Sequence, residues 1–176
     1  MSPSVLVVVS GLPGTGKSTL AIPLAERIEG VALSRDAARQ EIGGPPMLSP
    51  ASTRLRGRHR PGLQEKATQR LETLVAHQLE ADRPVVVELV ADRDARHRLS
   101  ALAARHGAPV YSIEVICSDA AELARRLRTR RGHWRRVVAQ ISKTYEPAPD
   151  ALVVDSRNAP EEMVERAVDF VRRGTG

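Results

Sequence analysis

Apolar runs punctuated by polar turns recur along the chain with the rhythm of alternating strands and helices. Residues 5–9, VLVVV, form an unbroken apolar run of the length of a strand buried on both faces. Comparable runs follow at 31–33, 85–90 (interrupted by Glu88), 110–116 and 151–154. Between them the apolar spacing changes to three and four. Residues 18–28 predict a first helix. Residues 63–81 predict a longer one, with Leu63, Ala67, Leu71, Leu74 and Gln78 on its inner face and His77 toward the surface. Residues 92–105 repeat the pattern with Leu99, Leu102 and Ala103 inward. Ser118 or Asp119 caps a further helix carrying Leu123 and Leu127, with Glu122 in its first turn. Residues 133–143 resume helical spacing around Trp134, Val137, Val138 and Ile141. Pro160 opens the last helix, which buries Met163 or Val164, Ala167, Val168 and Val171. Strands alternating with helices predict an α/β layered domain, a parallel sheet covered on both sides.

The turn between the first strand and the first helix carries chemistry. Residues 11–18 read GLPGTGKS, the spacing G-x-x-x-x-G-K-S in a strand–loop–helix setting. Gly11, Gly14 and Gly16 let the backbone wrap closely around phosphate oxygens. Leu12, Pro13 and Thr15 fill the loop between them, and Thr19 continues the first helical turn, whose unpaired N–H groups and dipole attract an anion. Lys17 reaches the β- and γ-phosphates in this arrangement, and the Ser18 hydroxyl ligates Mg²⁺. A purely structural turn is the competing reading, and the complete eight-position pattern argues against it. The pattern therefore implies a nucleoside triphosphate with its magnesium ion.

Composition narrows the rest. At 176 residues, 41 % of them hydrophobic, the chain fits one domain with a core of its own, spanning 1–176 without repeat or internal boundary. Trp134, Tyr111, Tyr145 and Phe170 are its only aromatic residues, too few for a base-stacking platform. The formal charge is +6, and three lysines among 27 basic residues leave 24 arginines, whose clustering points to a polyanionic ligand. The single cysteine, Cys117, follows an apolar strand-like run and reads as a buried thiol, with a nucleophile as the alternative. The chain opens almost at once on a strand, leaving no room for a signal peptide, and has no apolar stretch of membrane-spanning length. A soluble cytoplasmic protein is expected. Its oligomeric state is left open.

Three further places carry candidate residues. Asp36 follows the run at 31–33 and is accompanied by Arg39, at the sheet edge where ligands collect in open α/β folds. It reads as a catalytic carboxylate or as a helix cap, and the two roles are compatible. Residues 43–62 break regular structure and carry Arg54, Arg56, Arg58, Arg60 and His59, predicting either a loop that covers the acceptor or a solvated connection. Glu88 needs a reason for lying in a buried strand: an arginine partner, magnesium through water, or substrate. Asp155, at the end of the last strand, reads as a turn residue, with a contact to adenine or ribose as the alternative. Residues 125–136 hold seven arginines around Gly132 and predict either a basic surface or a lid that closes on the triphosphate. Arg126 and Arg130, four apart, project from one face, with Arg131 competing for the second place.

Taken in order, GLPGTGKSTLA at 11–21, SRDAAR at 34–39, VVVEL at 85–89, RRLRTR at 125–130 and AQISKTYEPAPDALVVD at 139–155 resemble the small P-loop kinases grouped with zeta-toxin-like and polynucleotide-kinase-like proteins. The resemblance spans nearly the whole chain. It implies a three-layer P-loop NTPase fold of the nucleoside-kinase-like type, with a five-stranded parallel sheet, helices on both faces and an arginine-rich lid. It implies transfer of the γ-phosphoryl group of ATP, with Mg²⁺, to a hydroxyl. By matching, Asp36 corresponds to the carboxylate that orients and deprotonates that hydroxyl, Arg39 to a residue near the acceptor, and Arg126 and Arg130 to lid arginines on the transferring phosphates. Where many relatives carry Asp-Ala-Thr after the central strand, this chain reads Glu88-Leu89-Val90-Ala91. A small-molecule hydroxyl is thus the expected acceptor. The 5′-hydroxyl of a nucleic acid, a nucleotide sugar, and an acceptor-free ATPase or nucleotide-dependent binding module are the rivals.

Overall fold

The valine-rich runs fold as strands because β-branched side chains suit a sheet covered on both faces. The computed structural model describes residues 4–43, 62–90, 93–128, 138, 141–142 and 145–174. Its strands are β1 Leu6–Ser10, β2 Val31–Ser34, β3 Val85–Glu88, β4 Val110–Ile116 and β5 Leu152–Asp155. They pair in parallel in the order β2-β3-β1-β4-β5. The helices are α1 Lys17–Arg27, α2 Arg35–Glu41, α3 Leu63–Glu80, α4 Arg93–Arg105, α5 Ala120–Arg128 and α6 Pro160–Gly174. The expected five-stranded parallel sheet between two helical layers is present.

Alternation along β1 divides the core. Val5, Val7 and Val9 face α1 and α6, where they meet Leu20, Leu24, Met163, Val164, Ala167, Val168 and Val171. Leu6 and Val8 face the other way, toward Leu71, Val75 and Leu79 of α3 and Leu99 and Leu102 of α4. Complete burial of a Val or Leu side chain stabilises by roughly 1.5–3 kcal/mol, so the central strand anchors both layers. Three details refine the periodicity reading, the second by settling an alternative it left open. On α3 the buried row is Ala67, Leu71, Val75 and Leu79, an unbroken i, i+4 series with Thr68 buried beside it, while Leu63, Leu74 and Gln78 lie half-buried on its flank. Asp119, not Ser118, caps α5, its Oδ1 accepting the N–H groups of Ala121 at 2.9 Å and Glu122 at 3.0 Å. Met163 and Val164 are both buried rather than one of them.

Three arginines among the described residues fasten helices together. Arg98 pairs with Glu65 at 3.1 Å and Glu72 at 3.0 Å, joining α4 to α3. Arg70 pairs with Glu41 across α3 and α2, and Arg27 with Glu165 across α1 and α6. Among the described residues, no helix is long and apolar enough to cross a membrane. Residues 44–61 of the covering loop (with Arg54, Arg56, Arg58, Arg60 and His59), Asp92, and residues 129–136 with Arg130, Arg131 and Trp134 lie outside the described residues.

Candidate active site

The glycine-rich loop leaves the carboxyl end of β1, the central strand, and closes on the amino end of α1. Gly11, Gly14 and Gly16 take φ values of 150°, 87° and 94°. At Gly11 the reason is contact: a Cβ there would stand 2.3 Å from the Val115 carbonyl oxygen of β4. At Gly16 it is conformation, since this residue opens α1 in the left-handed region and no side chain caps the helix. The first-turn N–H groups of α1 thereby have no capping side chain and face the loop as an anion site. Lys17 is only 7 % exposed, and its Nζ spans the loop to donate to the Leu12 carbonyl at 3.0 Å. Thr15 Oγ1 donates to the same carbonyl at 2.9 Å, tightening the turn around Pro13. Ser18 and Thr19 are exposed at the mouth.

Strand register brings the acidic candidates to that mouth. Val9 of β1 stands opposite Glu88 of β3, and Glu88 opposite Ser34 of β2. Asp36 comes two residues after Ser34, so it starts from the same sheet edge about 10 Å from the loop strand, two inter-strand spacings away. Ser34, rather than Asp36, caps α2, its Oγ accepting the Ala37 N–H at 3.1 Å. Asp36 is thereby left half-buried in the first turn of α2, with Arg39 one turn further along and also half-buried. Arg35 Nη2 donates to the Val90 carbonyl at 3.0 Å, binding the start of α2 to the segment after β3. Glu88, on the strand between β1 and β2, is half-buried.

On the other side of the loop stands α5. Leu127, 2 % exposed, packs over Gly14, where an added Cβ would meet its Cδ2 at 2.8 Å. The neighbouring Arg126 sends Nε to Glu122 Oε1 at 2.8 Å, Nη1 to Ser156 Oγ at 2.8 Å and Nη2 to the Ser156 carbonyl at 3.2 Å. Arg125 grips the same Glu122 carboxylate with two bonds of 2.6 and 2.8 Å. The hydrogen bonds from Arg125, then those from Arg126, bring Glu122 down to about 2 from its ordinary 4.5. Two of the seven clustered arginines therefore share an acid of their own helix, a partner that the sequence reading treated only as part of a cap. Asp155 does turn duty, its Oδ1 accepting the N–H groups of Ser118 and Arg157 at 3.2 and 3.1 Å. Its carboxyl is lowered chiefly by Ser118.

Two groups near the loop escaped the sequence reading. Glu114, 6 % exposed, aligns with Ser10 and accepts the Ser10 hydroxyl at 3.3 Å immediately before the glycine-rich loop. Burial, with the Glu114 carboxylate nearby, raises the Tyr145 phenol well above its usual range. A carboxylate in the middle of a strand-like run was the available signal. Cys117 is half-buried rather than buried, with Sγ 3.4 Å from the Asp119 carbonyl.

A comparison with curated proteins finds no match. Among solved structures, the chain is similar to a sugar kinase from Janibacter sp. HTCC2649, at 23 % identity over 97 % of this chain and 95 % of that one, with a TM-score of 0.69. It is similar to a gluconokinase from Sinorhizobium meliloti 1021, at 23 % identity over 99 % and 94 %, with a TM-score of 0.68. The Mycobacterium tuberculosis APS kinase CysC, solved with AMPPNP and APS, matches at 16 % identity over 98 % and 99 %, with a TM-score of 0.69. Identities this low carry the fold alone, the five-stranded parallel sheet between helical layers described above. The sequence match runs from the first residue of β1 through α5 and beyond: residues 6–148 fit the AAA domain family, and the chain belongs to it.

Proposed function

We propose that this protein moves the γ-phosphoryl group of ATP to a hydroxyl of a small molecule. One observation carries the reading: the glycine-rich cradle with its buried Lys17 opens on the same sheet edge as Asp36, two strands away. The loop amides and Lys17 hold the donor, the ammonium exchanging the Leu12 carbonyl for phosphate oxygens. Residues here also fit magnesium, because a hydroxyl in the first turn of an uncapped helix suits an ion that arrives largely coordinated by phosphate and water. Ser18 would hold it, and when bound the ion neutralises charge on the phosphate oxygens.

Asp36 orients the acceptor hydroxyl and takes its proton. The acceptor oxygen forms a bond to the γ-phosphorus as the bond to the β–γ bridging oxygen breaks, and ADP leaves. Arg39 engages the acceptor, Glu88 steadies the region between acceptor and donor, and Arg126 with Arg130 neutralises the transferring phosphate. Three of the similar structures bear the names sugar kinase, gluconokinase and APS kinase, which favours a small acceptor over the nucleotide sugar or 5′-hydroxyl end that a zeta-toxin-like or polynucleotide-kinase-like enzyme would use.

A labelled-ATP transfer screen across metabolites, nucleosides and 5′-hydroxyl oligonucleotides tests this. Label should pass to a small hydroxyl compound, and transfer to the oligonucleotide alone would reassign the acceptor. With the acceptor known, Asp36→Asn should lower kcat by about 10²–10⁴-fold and leave ATP affinity nearly unchanged. Lys17→Met should abolish transfer in a protein that still folds. An Asp36→Asn enzyme with wild-type turnover would remove Asp36 from the mechanism.

A further inference from the structure

Arg126 is held in place by residues from two segments that are far apart in the sequence. Glu122 lies one turn earlier on α5, whereas Ser156 follows β5, thirty positions beyond Arg126. The guanidinium bridges them with bonds of 2.8, 2.8 and 3.2 Å. It lies against the loop itself. A Cβ added to Gly16 would meet Ser156 Cβ at 3.3 Å and Arg126 Nη1 at 3.7 Å, so cation and hydroxyl both border the residue from which α1 begins. Arg126 and Glu122 are each about one-quarter exposed, open enough to meet a ligand and enclosed enough to keep one orientation.

We infer that Glu122 and Ser156 are positioning residues that fix the Arg126 guanidinium over the phosphate cradle and thereby set the affinity for the triphosphate. The inference rests on the nucleotide-binding reading above and adds to it a support that neither the motif nor the family match assigns. The physical argument is preorganisation. An arginine side chain free to sample many rotamers loses entropy when a phosphate captures it, and one already fixed by three bonds loses much less. Glu122 takes the Nε edge while Ser156 takes both terminal nitrogens, which determines the plane of the guanidinium as well as its location. The strongly acidic character of Glu122 keeps this support ionised through any ordinary working pH.

The test is a double-mutant cycle read as the Kd of Mg²⁺-ATP, which needs no acceptor. Ser156→Ala and Glu122→Gln should each weaken ATP binding by roughly three- to tenfold, the range one hydrogen bond carries. Glu122→Asp should recover part of the loss, because the charge survives on a shorter arm. In an Arg126→Ala background, both substitutions should have no further effect, since they act only through the arginine. A general loss of structure would persist in that background and would lower the melting temperature. If Glu122→Gln does not fold, Ser156→Ala and its double mutant with Arg126→Ala carry the cycle alone. Additive losses, unchanged affinity in the single mutants, or tighter binding on release of the arginine would each overturn the inference while leaving nucleotide binding intact. If the wild-type chain binds no ATP, the functional reading fails and this inference falls with it.

Discussion

At the scale of single residues, Arg27, Arg70, Arg98, Arg125 and Arg126 each meet a carboxylate. Glu122 serves two arginines at once, and its depressed titration has a direct consequence. With a folded value of about 2 against an ordinary 4.5, its stabilising contribution is complete above 4.5 and is lost progressively as the pH falls from there through about 2. A carboxyl-carbon NMR titration should therefore show Glu122 still ionised at pH 3.5, where exposed glutamates are mostly protonated. Arg125→Ala and Arg126→Ala should each move its midpoint upward, the first by more, because Arg125 is the larger cause. A midpoint near 4.5 in the wild-type chain would mean that the clamp is absent in solution. None of this was legible from the run RRLRTRR, where like charges crowd and the neutralising acid lies three and four positions upstream.

Elements, in contrast, were largely legible. The strands follow from valine-rich runs, and α1 from the motif that precedes it. What local pattern did not resolve was how helices begin and which row they bury. Ser34 and Asp36 both have capping chemistry, and only the extended conformation of Ser34 at the end of β2 shows which oxygen meets the α2 amides. Likewise α3 offers two overlapping apolar rows, and its position over the sheet selects the one through Ala67, Leu71, Val75 and Leu79. The cap has a measurable role. Ser34→Ala should cost about 1 kcal/mol in chemical denaturation. By loosening the turn that carries Asp36, it should also lower kcat more than it changes ATP affinity. Ser34→Asp, which restores a capping oxygen, should recover most of the loss, and equal effects of Ala and Asp would remove the cap from the explanation.

For the whole molecule, one sheet supports two half-cores, and β1 contributes alternate residues to each. Leu24 is completely buried among the residues shared with α6, and Leu71 is 1 % exposed among those shared with α3 and α4. Leu24→Ala and Leu71→Ala should each cost about 2–5 kcal/mol, and each should shift one common unfolding transition. Two separable transitions would show that the layers unfold independently. The sequence indicated this layered plan through strands apolar on both faces, but not which later segments would reach the loop, because contacts such as Arg126 with Ser156 span thirty positions.

Those long-range contacts bear on how the protein is made. Gly11 abuts the backbone of β4, Gly14 lies beneath Leu123 and Leu127 of α5, and Gly16 is bordered by Ser156 after β5. Each wall of the cradle is thus supplied by a segment that leaves the ribosome well after the motif it encloses. A half-finished polypeptide carries the full GLPGTGKS signature without the surfaces that give it shape, so on the proposed function capture of the nucleotide becomes a late event of biogenesis. Cellular ATP, present throughout translation, would then act as a wedge that favours the completed chain over its precursors.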